Sequence, residues 1–479
     1  MSWSPPAGLA AEALGYLKAL IEFDTTNPPG NETAAARYLH DILEQEGLQP
    51  VLLEPSPGRG NVVARLEGEG RDRPLLLFSH LDVVAADASQ WRSPPFQAHE
   101  ADGFLYGRGT QDMKNMTAMS LAVLLALKRS GQRLNRDVIF AAVADEETGG
   151  EFGAAYLVKN HPELLRAEYA LCEMGGFRLN IRGRDYVPVQ VAEKGCAWCR
   201  AVFTGQPGHG SIPDSDSSIQ RLARALRRLD RKGLPLQVTD PARDFIEMVA
   251  ASQKLPVRVV LRALLNPLAG RLVSSRLDEE QARFFHAMLH STAVPTMVKA
   301  GEKENVIPAR AEVFFDGRVL PGQDWEAFSK DLARVLGPHA SLELVRWMKP
   351  LTYPADTPLF DTIRRVVKQR LPEAEVVPYQ LTAFTDAKHL DELGIITYGF
   401  SPQNNDPGEK LTRLIHGHNE RIGVEAFGWG VEVLYETVAS FCCAPQGAGA
   451  VDSLMGELLP AGEQQPEAEA TAGEENGEQ

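Results

Sequence analysis

The sequence predicts an α/β protein: a mainly parallel sheet with helices on both faces, interrupted by an inserted α+β segment. Strand and helix patterns alternate through the first half, and the alternation resumes after about residue 347. Several strand runs are apolar at nearly every position, as strands covered on both faces require. Near Lys194-Gly195 the character changes to longer strands and a long helical stretch. These three observations divide the chain into residues 1–193, an insert 194–346, residues 347–445 and a tail 446–479.

The elements follow in order. Residues 10–21 and 32–46 read as helices and 61–66 and 74–79 as strands. A helix is expected at 114–129, a buried strand at 137–144, a helix at 153–160 and a strand at 168–172. In the insert, 196–204 reads as a strand, 217–229 as an amphipathic helix and 244–290 as helical. Residues 312–319 alternate in polarity as a half-buried strand does. Beyond it, 357–370 is helical, 395–400 a strand and 424–440 a helix. The tail is rich in Glu, Gln, Gly, Ala and Pro, cannot bury a core, and is expected to be disordered.

The 479 residues carry a net charge of −15. Eight acids and no base lie beyond residue 445, so the body sits near −7. A nucleic-acid reader would show a basic surface, and none is expected here. The most apolar run, 255–273, contains Arg258, Arg262 and Arg271, which a spanning helix would not carry cheaply. No membrane partner is therefore expected. The first residues show no signal peptide, and five cysteines form an odd, sparse set that fits a reducing compartment. A cytoplasmic location is expected. Cys196 and Cys199 lie three apart on a strand and read as packing, not as a chelate.

Three buried strands end in ionisable residues. One ends in His80, followed by Asp82; one in Glu146-Glu147; one in Glu173. Asp112 closes Gly107-Arg-Gly-Thr-Gln-Asp112, a glycine-rich turn entering a helix. Sites in open parallel sheets form at the carboxyl ends of strands, so these segments converge on one edge. So many acids together repel unless a cation neutralises them. Two metals would need a bridging carboxylate and a nucleophilic water between them, plus a carboxylate left to take its proton. Adjacent Glu146 and Glu147 offer a base and a ligand. Asp82 can hold the second nitrogen of His80. A second histidine is offered by His416-Gly-His418-Asn-Glu420.

On these motifs the chain resembles the co-catalytic di-zinc hydrolases that include aminoacylase, acetylornithine deacetylase, succinyl-diaminopimelate desuccinylase and glutamate carboxypeptidase. The matching segments are Ser79-His80-Leu-Asp82-Val-Val, Gly107-Arg-Gly-Thr-Gln-Asp112-Met-Lys114, Asp145-Glu146-Glu147-Thr-Gly-Gly, Cys172-Glu173 and His416-Gly-His-Asn-Glu420. The resemblance implies two zinc ions per chain, with cobalt or manganese as substitutes. It assigns His80 and Glu173 to one ion, Glu147 and His416 to the other, Asp112 as the bridge and Glu146 as general base. It implies a cis peptide after Asp112. The insert becomes a lid, with 1–193 and 347–445 forming the catalytic domain. In the lid, His209 of Gly205-Gln-Pro-Gly-His209-Gly-Ser211 is similar to a histidine that reaches the substrate oxyanion, often across a homodimer made through the lid. Asn305 and Arg318 resemble contacts to the substrate carboxylate, and Thr385-Asp386 matches a Thr-Asp pair.

Within that family, 93–107 and the apolar insert are most similar to carboxypeptidase S and the N-fatty-acyl-amino-acid hydrolases. Ala383-Phe384 and Lys388 depart from the family's usual glycines and arginine. The expected activity is hydrolysis of the amide of an N-acyl amino acid or small peptide beside a free carboxylate. A dipeptidase, or a deacetylase of a biosynthetic N-acyl intermediate, is the alternative. A nucleotide-binding domain is disfavoured, because no G-x-G-x-x-G opens a helix after a strand.

Overall fold

The computed structural model describes residues 3–274, 279–406 and 409–444; the 446–479 tail lies outside the described residues. Its largest sheet has ten strands and is mixed but mainly parallel at its centre. Leu75–His80 pairs in parallel with both Val138–Val143 and Tyr169–Cys172. Ile396–Gly399 adds in parallel beside Tyr169–Cys172. Antiparallel strands extend one side, through Asn61–Leu66 to Val51–Leu53. On the other side Arg184–Glu193 pairs antiparallel with Ile396–Gly399 and in parallel with Glu375–Leu381.

Every residue of Leu75–His80 and Val138–Val143 is buried, which explains their unbroken apolar runs. One cover is the helix Lys114–Ser130, buried from its start through Leu127 and packed on the helices Leu9–Ile21 and Val424–Cys442. It stops at Gly131, whose φ of 61° suits glycine, with Lys128 and Arg129 in the last turn facing the negative end of the helix dipole.

A second, antiparallel sheet runs in the order Thr292–Ala300, Arg310–Val319, Gly195–Thr204, Ser341–Met348. The helices Ser218–Lys232 and Trp325–Leu336 pack on it around Phe203, Phe315 and Phe328. Cys196 and Cys199 are both buried free thiols there, with a register irregularity between Trp198 and Cys199.

The 194–346 segment does not behave as one block. Its helices between Asp240 and Leu289 share a core with Tyr186, Val377, Tyr379 and Leu381 of the main sheet. The physical reason is that Phe245, Ile246 and Val249 cover the strand Glu375–Leu381, which the sequence reading left out. Residues 3–443 belong to one compact unit.

Candidate active site

Five segments meet at the carboxyl ends of the parallel strands. His80 ends its strand with a fully buried ring. Its Nε2 lies 3.1 Å from Asp112 Oδ1 and 3.8 Å from Glu173 Oε2. Its Nδ1 is 3.0 Å from the backbone carbonyl of Asp82 and 3.4 Å from the carboxylate. His416 Nε2 lies 3.1 Å from Asp112 Oδ2 and 3.2 Å from Glu147 Oε2. Two groups of potential metal ligands result, His80–Asp112–Glu173 and Asp112–Glu147–His416, each with its ligand atoms within 4.8 Å. They share Asp112, one oxygen toward each imidazole. The peptide after Asp112 is cis, as the resemblance implies. His418 is exposed and joins neither group.

The electrostatics describe a site built for cations. Burial drives Glu173 well above the usual carboxylate range, and drives Glu147 up to about 7. Burial also pushes on Asp112, but hydrogen bonds from His416 and His80 outweigh it and hold that carboxyl down. Hydrogen bonds to Asp112 and Glu147 raise His416 to about 10. Glu147 Oε1 is buried without a hydrogen-bond partner. One imidazole and carboxylate oxygens per group, with an orphaned carboxylate oxygen, fit a divalent ion such as zinc.

Glu146 belongs to neither ligand group. Together with Glu147 it sits in the short 3-10 turn Glu146–Thr148, which leaves the strand Val138–Val143 through Asp145 at φ 75°. Burial raises its carboxyl, opposed by the charge of Lys388. Lys388 Nζ lies 4.0 Å from Glu146 Oε1 and 3.7 Å from Asp386 Oδ1.

Asp82 does more than orient His80. It accepts from the backbone N–H of Glu146 and of Glu147, each at 3.1 Å, and from Asn27 Nδ2 at 2.8 Å. One carboxylate therefore sets the imidazole and the base-bearing turn together. Asn27 also donates to Asp145, which Arg59 pairs at 2.6 Å. Glu420 does the same for the glycine-rich turn. Fully buried, it accepts from the N–H groups of Gly109, Gln111 and Asp112 and pairs with Arg108 at 2.7 Å. Neither role was read from the sequence. Glu420 lay inside a matched motif, and Asn27, in a polar Asp-Thr-Thr-Asn-Pro-Pro loop, gave no signal beyond turn chemistry.

The remaining expected residues divide. Arg318, on the strand Arg310–Val319, packs over the Phe384 ring with its guanidinium carbon 4.8 Å from the centroid. Lys388 approaches the same ring at 4.9 Å. Phe384, a departure from the family pattern, is thus the ring on which Arg318 of the second sheet and Lys388 of the short helix Ala387–Leu390 meet beside Glu146. Arg318 holds Asp316 through Nε and Nη2, at 2.9 and 3.1 Å. Thr385 was expected to touch substrate. The structure gives it a different partner: it is buried, and both its N–H and its hydroxyl donate to Glu193. Its only hydroxyl proton is therefore spent holding the loop. His209 and Asn305 come together, since Gly208–His209 pairs with Val306–Ile307. Both are exposed, and neither side chain bonds to the metal-ligand groups among the described residues.

Residues 76–440 match the model of peptidase family M20/M25/M40. The chain belongs to that family. It is a hydrolytic enzyme, and its family and relatives act on amide bonds. It is 32% identical over 369 residues to N-fatty-acyl-amino acid synthase/hydrolase PM20D1.1 of Danio rerio, covering 74% of this chain and 70% of that protein. It is 30% identical over 440 residues to aminoacylase-1 of Sus scrofa, covering 89% and 94%. Its fold is similar to that of an M20 family metallo-carboxypeptidase, Sso-CP2 of Sulfolobus solfataricus, with TM-score 0.65 and 19% identity over 89% of this chain and 98% of that one. Among the described residues, no helix is long and apolar enough to cross a membrane.

Proposed function

We propose that this M20 enzyme hydrolyses the amide of an N-acyl amino acid or small peptide beside a free carboxylate. The observation that carries the reading is a carboxylate, Glu146, largely shielded from solvent and standing outside two ligand groups that share Asp112. His80 and Glu173 would hold one divalent ion, Glu147 and His416 the other, with Asp112 common to both. Two such ions, when bound, polarise a carbonyl oxygen and make water nucleophilic near neutral pH.

The chain's own residues do the rest. Glu146 takes a proton from the attacking water as the C–O bond forms, and returns it to the nitrogen as the C–N bond breaks. Lys388 beside it favours its ionised form before attack. Asp82 keeps Glu146, Glu147 and His80 in register. Arg318 offers the Nη1 edge that Asp316 leaves, which suits a carboxylate's planar geometry. His209, carried on the lid hairpin, steadies the oxyanion once it is brought to the carbonyl. Since it is exposed here, closure of the lid or a second copy of the chain must supply it.

Two of the relatives are named as an N-fatty-acyl-amino acid synthase/hydrolase and an aminoacylase, which supports an aminoacylase over a dipeptidase. The test is a hydrolysis panel on metal-loaded protein: N-acetyl, long-chain N-acyl and dipeptide substrates, each as free acid and as carboxyl amide. Cleavage of the acids with loss of the amides supports the reading. Equal cleavage of both would remove the carboxylate clamp and favour a deacetylase.

A further inference from the structure

The helices Leu255–Ala263 and Pro267–Ser274 have an outward face that is apolar. Leu255 is 73% exposed, Val259 59%, Leu268 84% and Leu272 63%, and Val260 is exposed beside them. Inward, Leu261 and Leu264 already fill the core with Phe245 and Ile246. The outward residues are therefore surplus to folding, and exposed apolar patches of this kind mark interaction surfaces.

The charge of the segment says what covers them. From Met248 to Leu277 the sequence has Lys254, Arg258, Arg262, Arg271 and Arg276 and no acid, in a chain of net charge −15. Among the described residues, Arg258 donates to the backbone carbonyls of Ala250, Ala251 and Gln253 and pairs with no carboxylate. Arg262 is paired with Glu247 on the neighbouring helix. Apolar side chains flanked by bases, on helices lying along the surface, have the make-up of interfacial anchors. A second copy fits poorly. A two-fold contact would pair this base-bearing segment with itself and bring no acid of its own to meet Lys254.

We propose that these two helices seat the enzyme on the surface of an anionic lipid bilayer. Leu255, Val259, Leu268 and Leu272 enter the headgroup boundary and the exposed Lys254 faces the lipid phosphates. A flat contact of this kind replaces the sequence-based expectation of no membrane partner, which weighed only a spanning helix. The proposal stands apart from the hydrolysis reading. It also bears on it, because the core beneath the patch contains Tyr379 and Leu381, on the strand that leads to Phe384 and Lys388.

The test is co-sedimentation of the full chain with phosphatidylglycerol–phosphatidylcholine vesicles and with phosphatidylcholine vesicles. Binding to the anionic vesicles that weakens as salt rises is expected. Leu255→Asp with Leu268→Asp should weaken that binding at least ~10-fold, since each side chain loses the transfer of its apolar surface. Lys254→Glu should weaken it by a smaller factor. All three positions are exposed, so melting temperature and turnover of a soluble N-acetyl amino acid should stay at wild-type values. No binding to the anionic vesicles overturns the proposal. So does equal, salt-independent binding to both vesicle types. A wild-type dimer in sedimentation that Leu268→Asp dissolves also overturns it, in favour of a second copy.

Discussion

The strand ends of the main sheet and the His209–Asn305 hairpin are both assigned to one reaction, yet they are built differently. At the strand ends buried carboxylates brace the ring of His80 and the turns that carry Glu146, Glu147 and Asp112. His80 is held by Asp82, the Glu146–Glu147 turn by the same Asp82, and Asp112 by Glu420 through its own N–H. At the hairpin, among the described residues, the His209 side chain bonds only to Ser211, two residues on, and the Asn305 carbonyl accepts from Gly210 while its side chain makes no hydrogen bond there. The first region is preorganised before substrate arrives. The second is left in solvent until movement or a second chain brings it over. Electrostatic catalysis needs fixed groups where charge develops, whereas a group delivered on closure can respond to substrate.

The comparison can be broken by substitution. Asp112→Ala should have the largest effect, because it removes an oxygen from each ligand group. Elemental analysis is expected to find both ions lost after dialysis, and activity lost with them. Retention of one ion at wild-type affinity would mean Asp112 serves only one group. His209→Ala should lower kcat ~10²–10³-fold with metal content unchanged, as removal of an oxyanion donor does. A drop in metal content instead would place His209 among the braced residues.

Arg318→Ala should act mainly on KM, raising it about 10–100-fold, because a carboxylate contact is made in ground and transition states alike. The amide of the same substrate should show no such rise. Asp82→Asn is the subtlest change. The amide keeps one acceptor oxygen but puts an NH2 where one of the Glu146 and Glu147 N–H groups now donates. Metal affinity should fall by ~10–100-fold, as for other residues that orient ligands. Unchanged affinity would show that the turn holds its shape without Asp82. Metal uptake should also release protons. His416 sits at about 10, so it is protonated at neutral pH and must shed that proton to ligate, and affinity rises with pH up to that value.

Much of the braced region was legible in sequence because its strands are covered on both faces. Unbroken apolar runs ending in His80, Glu146-Glu147 and Glu173 mark buried strands and the edge where they end. What stayed hidden was created by folding. Nothing local to Asp82 says that its oxygens face the amides of residues 64 and 65 positions away. Phe384 read as a departure until Arg318 and Lys388 were found on its ring. Thr385 matched a motif, but its hydroxyl belongs to Glu193. The strand Thr292–Ala300 was missed for a physical reason. It is an edge strand, exposed along most of its length and interrupted by Pro295, so it lacks the alternation of a half-buried strand. The helices from Asp240 onward were read as helical but given to the wrong neighbour, because helical periodicity says which face is apolar and not which sheet it covers.

The central claim is that Glu146 moves the proton while its neighbour Glu147 holds metal. Glu146→Gln tests it most directly, since Gln keeps the shape and loses the base. Metal content and turnover of an N-acyl amino acid are measured on the same sample. The account predicts two ions per chain, as in wild type, with turnover lowered ~10²–10⁴-fold. Loss of an ion from Glu146→Gln, or wild-type turnover with both ions present, would contradict it.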